Sequence, residues 1–117
     1  MHRALLPLDE LDLGSDGVLA RLTPYRSRVS AHGELTLTAT VRNPFGDRCE
    51  AMLRLVLPEG FSSRSGGSVW LEAGEEVDVP LRISAGPGPR SRQRVALDVT
   101  IGDLMLGQHA EALVEVG

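Results

Sequence analysis

Residues 33–58 read GELTLTATVRNPFGDRCEAMLRLVLP. Leu35, Leu37, Ala39 and Val41 occupy every second position, with Thr36, Thr38, Thr40 and Arg42 between them. A period of two marks a strand with one buried and one wetted face, and threonine suits the wetted face of a pleat. Asn43-Pro44-Phe45-Gly46 stops the run with Asn first, Pro second and Gly fourth, the composition of a type I turn. Alternation resumes at Ala51, Leu53, Leu55 and Leu57 and ends at Pro58-Glu59-Gly60. These two strands form either a hairpin or an arch between sheets. A two-sheet fold favours the arch, because each apolar sheet face needs another opposite it.

Reading outward from this pair, the theme repeats. Residues 59–68, rich in Ser and Gly, read as a flexible loop. Val69-Trp70-Leu71 is a short strand in which Trp70 has the parity opposite to its apolar neighbours and so faces the surface. Val77, Val79, Leu81 and Ile83 form another strand, with Pro80 on the outward parity, which places that strand at an edge. Residues 85–92 (AGPGPRSR) read as a second long loop. Val95, Leu97, Val99 and Ile101 precede Gly102-Asp103, a two-residue hairpin signal. The last strand carries Leu104, Leu106, Ala110, Ala112, Val114 and Val116 on one parity. That turn pairs Ile101 with Leu104 and sets Arg94 opposite Glu111. Gln108 is misplaced on the inner parity, and a bulge near Gly107 corrects it.

Upstream, residues 18–22 form a first strand, Pro24 interrupts it, and residues 25–30 continue beyond the kink. Residues 1–17, acidic and without clear periodicity, read as a linker or N-terminal extension, leaving 18–117 as the domain. About seven strands and no helix predict an all-β, immunoglobulin-like two-sheet antiparallel β-sandwich.

The chain has 117 residues, 42% of them hydrophobic, enough for one domain with a core. Its formal net charge of -4 excludes the basic balance of a nucleic-acid binder. All 12 basic residues are arginines. Aromatics at 3% disfavour stacking platforms for sugars or single-stranded nucleic acid. Cys49 is the sole cysteine, so no intrachain disulfide forms, and no apolar run reaches membrane-spanning length. The first seven residues lack the pattern of a signal peptide. The compartment stays open, with the cytoplasm favoured over secretion, and neither a membrane nor a nucleic-acid partner is expected.

Three segments carry a family resemblance: Val41-Arg42-Asn43-Pro44; Leu55-Val56-Leu57-Pro58-Glu59-Gly60-Phe61; and Leu71-Glu72-Ala73-Gly74-Glu75-Glu76. They resemble the strand end, the proline-glycine corner and the strand start of bacterial Ig-like accessory domains of the CARDB and NPCBM-associated type, with Phe61 where Trp is usual. Leu22-Thr23-Pro24-Tyr25-Arg26-Ser27 is similar to the start of C-terminal domains that follow metallo-β-lactamase-fold hydrolases. The resemblance implies a non-catalytic module of a larger bacterial protein. The His-x-His-x-Asp-His metal motif of those hydrolases does not occur in this chain.

No constellation for chemistry emerges. His2, His32, His109 and Cys49 lack metal-ligand spacing, so no metal or cofactor is expected. Cys49 and the serines of residues 61–68 lack the flanking base or elbow of a nucleophile. Glu75 and Glu76 face opposite sides of a strand. The Gly and Arg of residues 85–92 lack the end of a P-loop. Surface apolar residues remain. Trp70 is a candidate contact anchor. Ala96, Met105 and Leu113 share the outward parity of the last hairpin, and Met52 and Val56 that of the strand beside it. Together these six form a candidate interface for another domain of the parent protein or for a homodimer partner. A glycan held by Trp70 and Tyr25 is the lesser alternative, given the low aromatic content.

Overall fold

The computed structural model describes residues 19–117. The acidic lead-in expected as a linker, and His2 within it, lie outside the described residues. Among the described residues there is no helix. Eight strands are present: β1 Ala20–Thr23, β2 Arg26–Val29, β3 Glu34–Arg42, β4 Cys49–Val56, β5 Gly67–Leu71, β6 Glu76–Ser84, β7 Arg90–Ile101 and β8 Leu104–Val116. They form a three-stranded sheet in the order β1-β3-β6 and a five-stranded sheet in the order β2-β8-β7-β4-β5. The immunoglobulin-like β-sandwich expected from the alternating pattern is the fold of the chain.

The alternating residues meet between the sheets. Leu37, Ala39, Val41, Leu81 and Ile83 of the smaller sheet are buried, as are Cys49, Ala51, Leu53, Val95, Leu97, Val99 and Ile101 of the larger. Because β3 and β4 belong to different sheets, residues 43–48 are an arch, not a hairpin. Asn43 is fully buried at its root. Its Nδ2 donates to the carbonyls of Asp47, Leu71 and Glu72, and its Oδ1 accepts from the Phe45 amide. Read in sequence as the first residue of a turn, Asn43 in fact ties the arch to the end of β5. Leu55, placed in the core by parity, is only partly buried. It lies on β4 beyond Leu53, the last residue that β5 covers.

The strand broken at Pro24 changes sheets. β1 pairs with β3, whereas β2 pairs with β8, and it does so in parallel; the other pairings are antiparallel. This crossover accounts for eight strands instead of seven and for one exception to an antiparallel sandwich.

The β7–β8 hairpin pairs Ile101 with Leu104 as its turn requires. Two bulges follow: Leu106, beside Gly107 with its left-handed φ of 67°, and His109 each lack an opposite residue. Gln108 thereby faces outward beside Asp98. The two extra residues also move Arg94 from opposite Glu111 to opposite Leu113. The ion pair survives along the diagonal, with Arg94 Nε 2.6 Å from Glu111 Oε2.

The two expected loops are shorter or more tightly held than their composition implies. β7 begins at Arg90, which pairs with Val116, so the second loop ends at Pro89. The first is fastened to edge strand β6. Ser62 and Ser84 exchange backbone hydrogen bonds, the Ser65 hydroxyl accepts from the Arg82 amide, and the Ser63 hydroxyl donates to the Arg82 carbonyl. The even-numbered residues of β6 therefore point their backbone groups away from β3. Pro80 belongs to that set, so its missing N–H removes nothing from the ladder.

Candidate interaction surface

The outer face of the five-stranded sheet is organised by its register into cross-strand rows. One row runs Ser68, Met52, Thr100, Met105 across β5, β4, β7 and β8. Trp70 stands opposite Glu50 in the adjoining row. Met105 is 82% exposed, Met52 55% and Trp70 54%. These three candidates are brought to one end of the sheet. The Arg48 guanidinium lies 4.7 Å from the centroid of the Trp70 ring, a cation–π contact that occupies one face of the indole and leaves the residue more than half exposed.

The other three candidates are separated from them. Arg54 and Asp98 form the next row and are bonded at 3.2 Å. Beyond it lie Val56, Ala96 and Glu111, and then Arg94, Leu113 and Arg26. Val56 and Leu113 are half-buried. Ala96 is fully buried although it stands apart from the core cluster, which corrects its assignment to an exposed patch. Arg94 explains the burial. Its guanidinium bonds Glu111 in the row of Ala96 and Gln108 in the row beyond, at 2.6 and 2.7 Å, so its side chain must cross above Ala96. An alanine methyl is too short to reach past that chain. The outer face is thus an apolar end containing Met52, Met105 and Trp70, a belt of ion pairs, and an arginine-bearing end around Leu113.

Tyr25 and Trp70 do not make a common stacking platform. Trp70 is on edge strand β5 and Tyr25 just precedes edge strand β2 on the other side of the sheet, so four strand spacings, about 19 Å across the strands alone, separate them, and they also stand at opposite ends of the strands.

The remaining reactive side chains are dispersed. Cys49 is buried at the start of β4, His32 is in the exposed turn before β3, and His109 is in the β8 bulge. Among the described residues, no three of His, Cys, Asp or Glu gather as metal ligands would. Glu75 closes the turn before β6, where its Oε1 accepts from the Glu72 amide at 2.8 Å.

Sequence reasoning paired Arg94 with Glu111 and weighed the arginines of residues 85–92 against a P-loop, but it did not bring arginines of different strands together. The sheet brings four of them together: Arg94 and Arg26 flank Leu113, Arg28 is registered with Glu115, and Arg92 in the β7 bulge borders the same groove. Net charge hides such a cluster, and the spacing of residues 26–28 from 92–94 in the chain gives no hint that β8 lies between them.

No protein-family model matches the chain, and no curated protein is similar to it. Solved structures are similar in fold. A segment of the α2-macroglobulin of E. coli superposes with a TM-score of 0.65 at 17% identity, over 84% of this chain and 6% of that one. A FixG-related protein from Vibrio parahaemolyticus does so at 0.62 and 18%, over 73% of this chain and 80% of that one. The cupredoxin domain of amoB from Nitrosocaldus yellowstonii gives 0.53 and 15%, over 82% and 83%. The chain spans only a small fraction of the length of the first of these. At such identities the likeness concerns the fold alone: this chain is a β-sandwich of a kind that also occurs as a domain within larger proteins.

Proposed function

We propose that the chain is a non-catalytic accessory module whose contact surface is the Met52, Met105 and Trp70 end of the larger sheet. The observation that carries this reading is the gathering of three large, half-exposed or more fully exposed apolar side chains in adjoining rows. Scattered surface apolars are ordinary, but a cluster with methionine and tryptophan is the composition of an interface core. Its partner is another domain of a parent protein, with a second copy as the alternative. The resemblance to accessory domains that accompany hydrolases supports a parent of that class, in which the chemistry belongs to the other domain. The sandwich similarity within α2-macroglobulin is consistent with a module of a longer chain.

Oxidative footprinting tests the surface directly, since Met and Trp side chains report their own exposure. The isolated chain at low concentration should be oxidised at Met52, Met105 and Trp70. The parent protein, or the isolated chain at high concentration, should be protected at all three. Light scattering on wild type and Met105→Glu then separates the partners: a concentration-dependent dimer lost in the variant identifies a second copy. Full oxidation of the three residues in both the parent and the concentrated chain refutes the reading.

A further inference from the structure

At the opposite end of the same outer face, the arginines border a groove of about 510 Å3 lined by Arg26, Ser27, Arg28, Ser91, Arg92, Leu113, Val114 and Glu115. The groove lies over the C-terminal half of β8. β2 supplies one wall and the first residues of β7 the other. Arg26 and Arg94 stand on either side of Leu113, Arg28 is registered with Glu115, and Arg92, in the bulge of β7 on the far side of β8, borders the same groove as Glu115. The two rows are two residues apart, about 7 Å along the strand.

The charges do not cancel. Arg28 is paired with Glu115 at 2.6 Å and Arg94 with Glu111 at 2.6 Å. Arg26 has its guanidinium 6.0 Å from the Tyr25 ring centroid, and no carboxylate among the described residues pairs with it or with Arg92. Arg92 has a left-handed φ of 54°. That backbone is costly for a side chain of this size, and it arises where β7 bulges between Arg90 and Gln93. The bulge re-aims Arg92 into the groove wall, the kind of local strain that gathers at binding sites.

We propose that this groove binds an acidic polypeptide segment in extended conformation, laid along β8. Alternate side chains of an extended chain project on one side at the same ~7 Å repeat, so two acidic residues at i and i+2 meet the two arginine rows in turn. Guanidinium groups are suited to this because their planar fork bonds a carboxylate through two N–H groups. Leu113 on the floor receives the apolar part of the ligand. A long polyanion is less well matched. The protein as a whole carries -4, and its field opposes a nucleic acid or a long sulfated glycan at distance. A short segment feels chiefly the charges within about 8 Å, and here Arg26, Arg28, Arg92 and Arg94 outnumber Glu111 and Glu115. Tyr25, the aromatic residue beside the groove, already has Arg26 over its ring and offers no stacking face on that side.

The inference does not depend on the Met52 and Met105 surface, and its test keeps the two apart. Fluorescence anisotropy would follow a labelled peptide of about twelve residues with glutamate at alternate positions, titrated with the protein at ~50 mM salt. Binding is expected, and the glutamine counterpart should not bind. Arg26→Glu with Arg92→Glu should weaken binding by at least about tenfold. Arg64→Glu with Arg82→Glu makes the same charge change outside the groove and should alter binding by no more than about twofold. Met105→Glu should leave it unchanged. Thermal melts of each variant confirm the fold. Absence of binding to the glutamate peptide up to about 1 mM protein overturns the proposal, as does equal loss in both double variants. Tighter binding of an oligonucleotide or heparin fragment through the same arginines overturns it in favour of that polyanion.

Discussion

Asn43 Nδ2 donates to the Leu71 carbonyl at 3.2 Å, joining the root of the β3–β4 arch to the last residue of β5. The two residues lie 28 positions apart and both are fully buried. With its further bonds to Asp47, Glu72 and Phe45, the amide holds the arch and the end of β5 in one hydrogen-bonded network. Each such bond contributes about 0.5–1.5 kcal/mol net. Asn43→Ala should therefore destabilise the domain by about 3 kcal/mol in urea unfolding. Asn43→Asp should do no better, since it keeps the acceptor for Phe45 but turns a carboxylate oxygen toward three carbonyls. A loss under about 1 kcal/mol for the alanine variant would mean that water replaces the amide.

Leu97 and Leu55 are neighbours in register but not in environment. Leu97 is fully buried in the middle of the larger sheet, whereas Leu55 is partly exposed beyond the reach of β5. Leu97→Ala should cost about 3–5 kcal/mol and Leu55→Ala about half as much. The measurement is the pair of denaturation midpoints at constant m-value, and equal costs would contradict the difference in burial.

The serine loop on β6 should act as a cover for a sheet edge. Ser65→Ala removes the acceptor that bonds the Arg82 amide at 2.8 Å. Hydrogen exchange should accelerate at Arg82 while Leu81, whose neighbours in the ladder are unchanged, keeps its protection. The loss of stability should be about 1 kcal/mol. Uncovered edges recruit other strands, so the Ser63→Ala, Ser65→Ala double variant should also aggregate faster on mild heating.

Much of this fold is legible in the chain because period-two alternation is a local property. The parity of Leu37, Leu81 and Val99 placed them inside, Pro80 marked the edge strand, and Gly102-Asp103 fixed the start of the last hairpin. What escaped reading is non-local. The role of Asn43 depends on carbonyls 28 and 29 residues away. The crossing of the chain at Pro24 depends on which sheet lies nearer, and a proline signals a break without a direction. Ala96 was assigned to the surface correctly by direction and wrongly by exposure, because burial of so small a side chain is decided by the length of its neighbour Arg94. The candidate surface shows the same division. Outward parity located Met52, Met105 and Trp70, but two bulged residues in β8 determined that Arg94 faces Leu113 and brought the arginines into rows.

The parallel pairing of β2 with β8 bears on how the domain is made. Arg26 is registered with Leu113 and Val29 with Val116, so the two partners are separated by nearly the whole described chain. As the polypeptide leaves the ribosome, β2 emerges before most strands of this domain, and β8, its one neighbour among the described strands, emerges after all of them. Until β8 arrives, β2 has no ladder to join, and the groove between β2 and β7 has no floor. Contacts of such sequence separation slow folding, because a long loop must close before they reward it. Assembly of the larger sheet is therefore a late event in the folding of this domain, and the arginine rows come into existence only when the sandwich is complete.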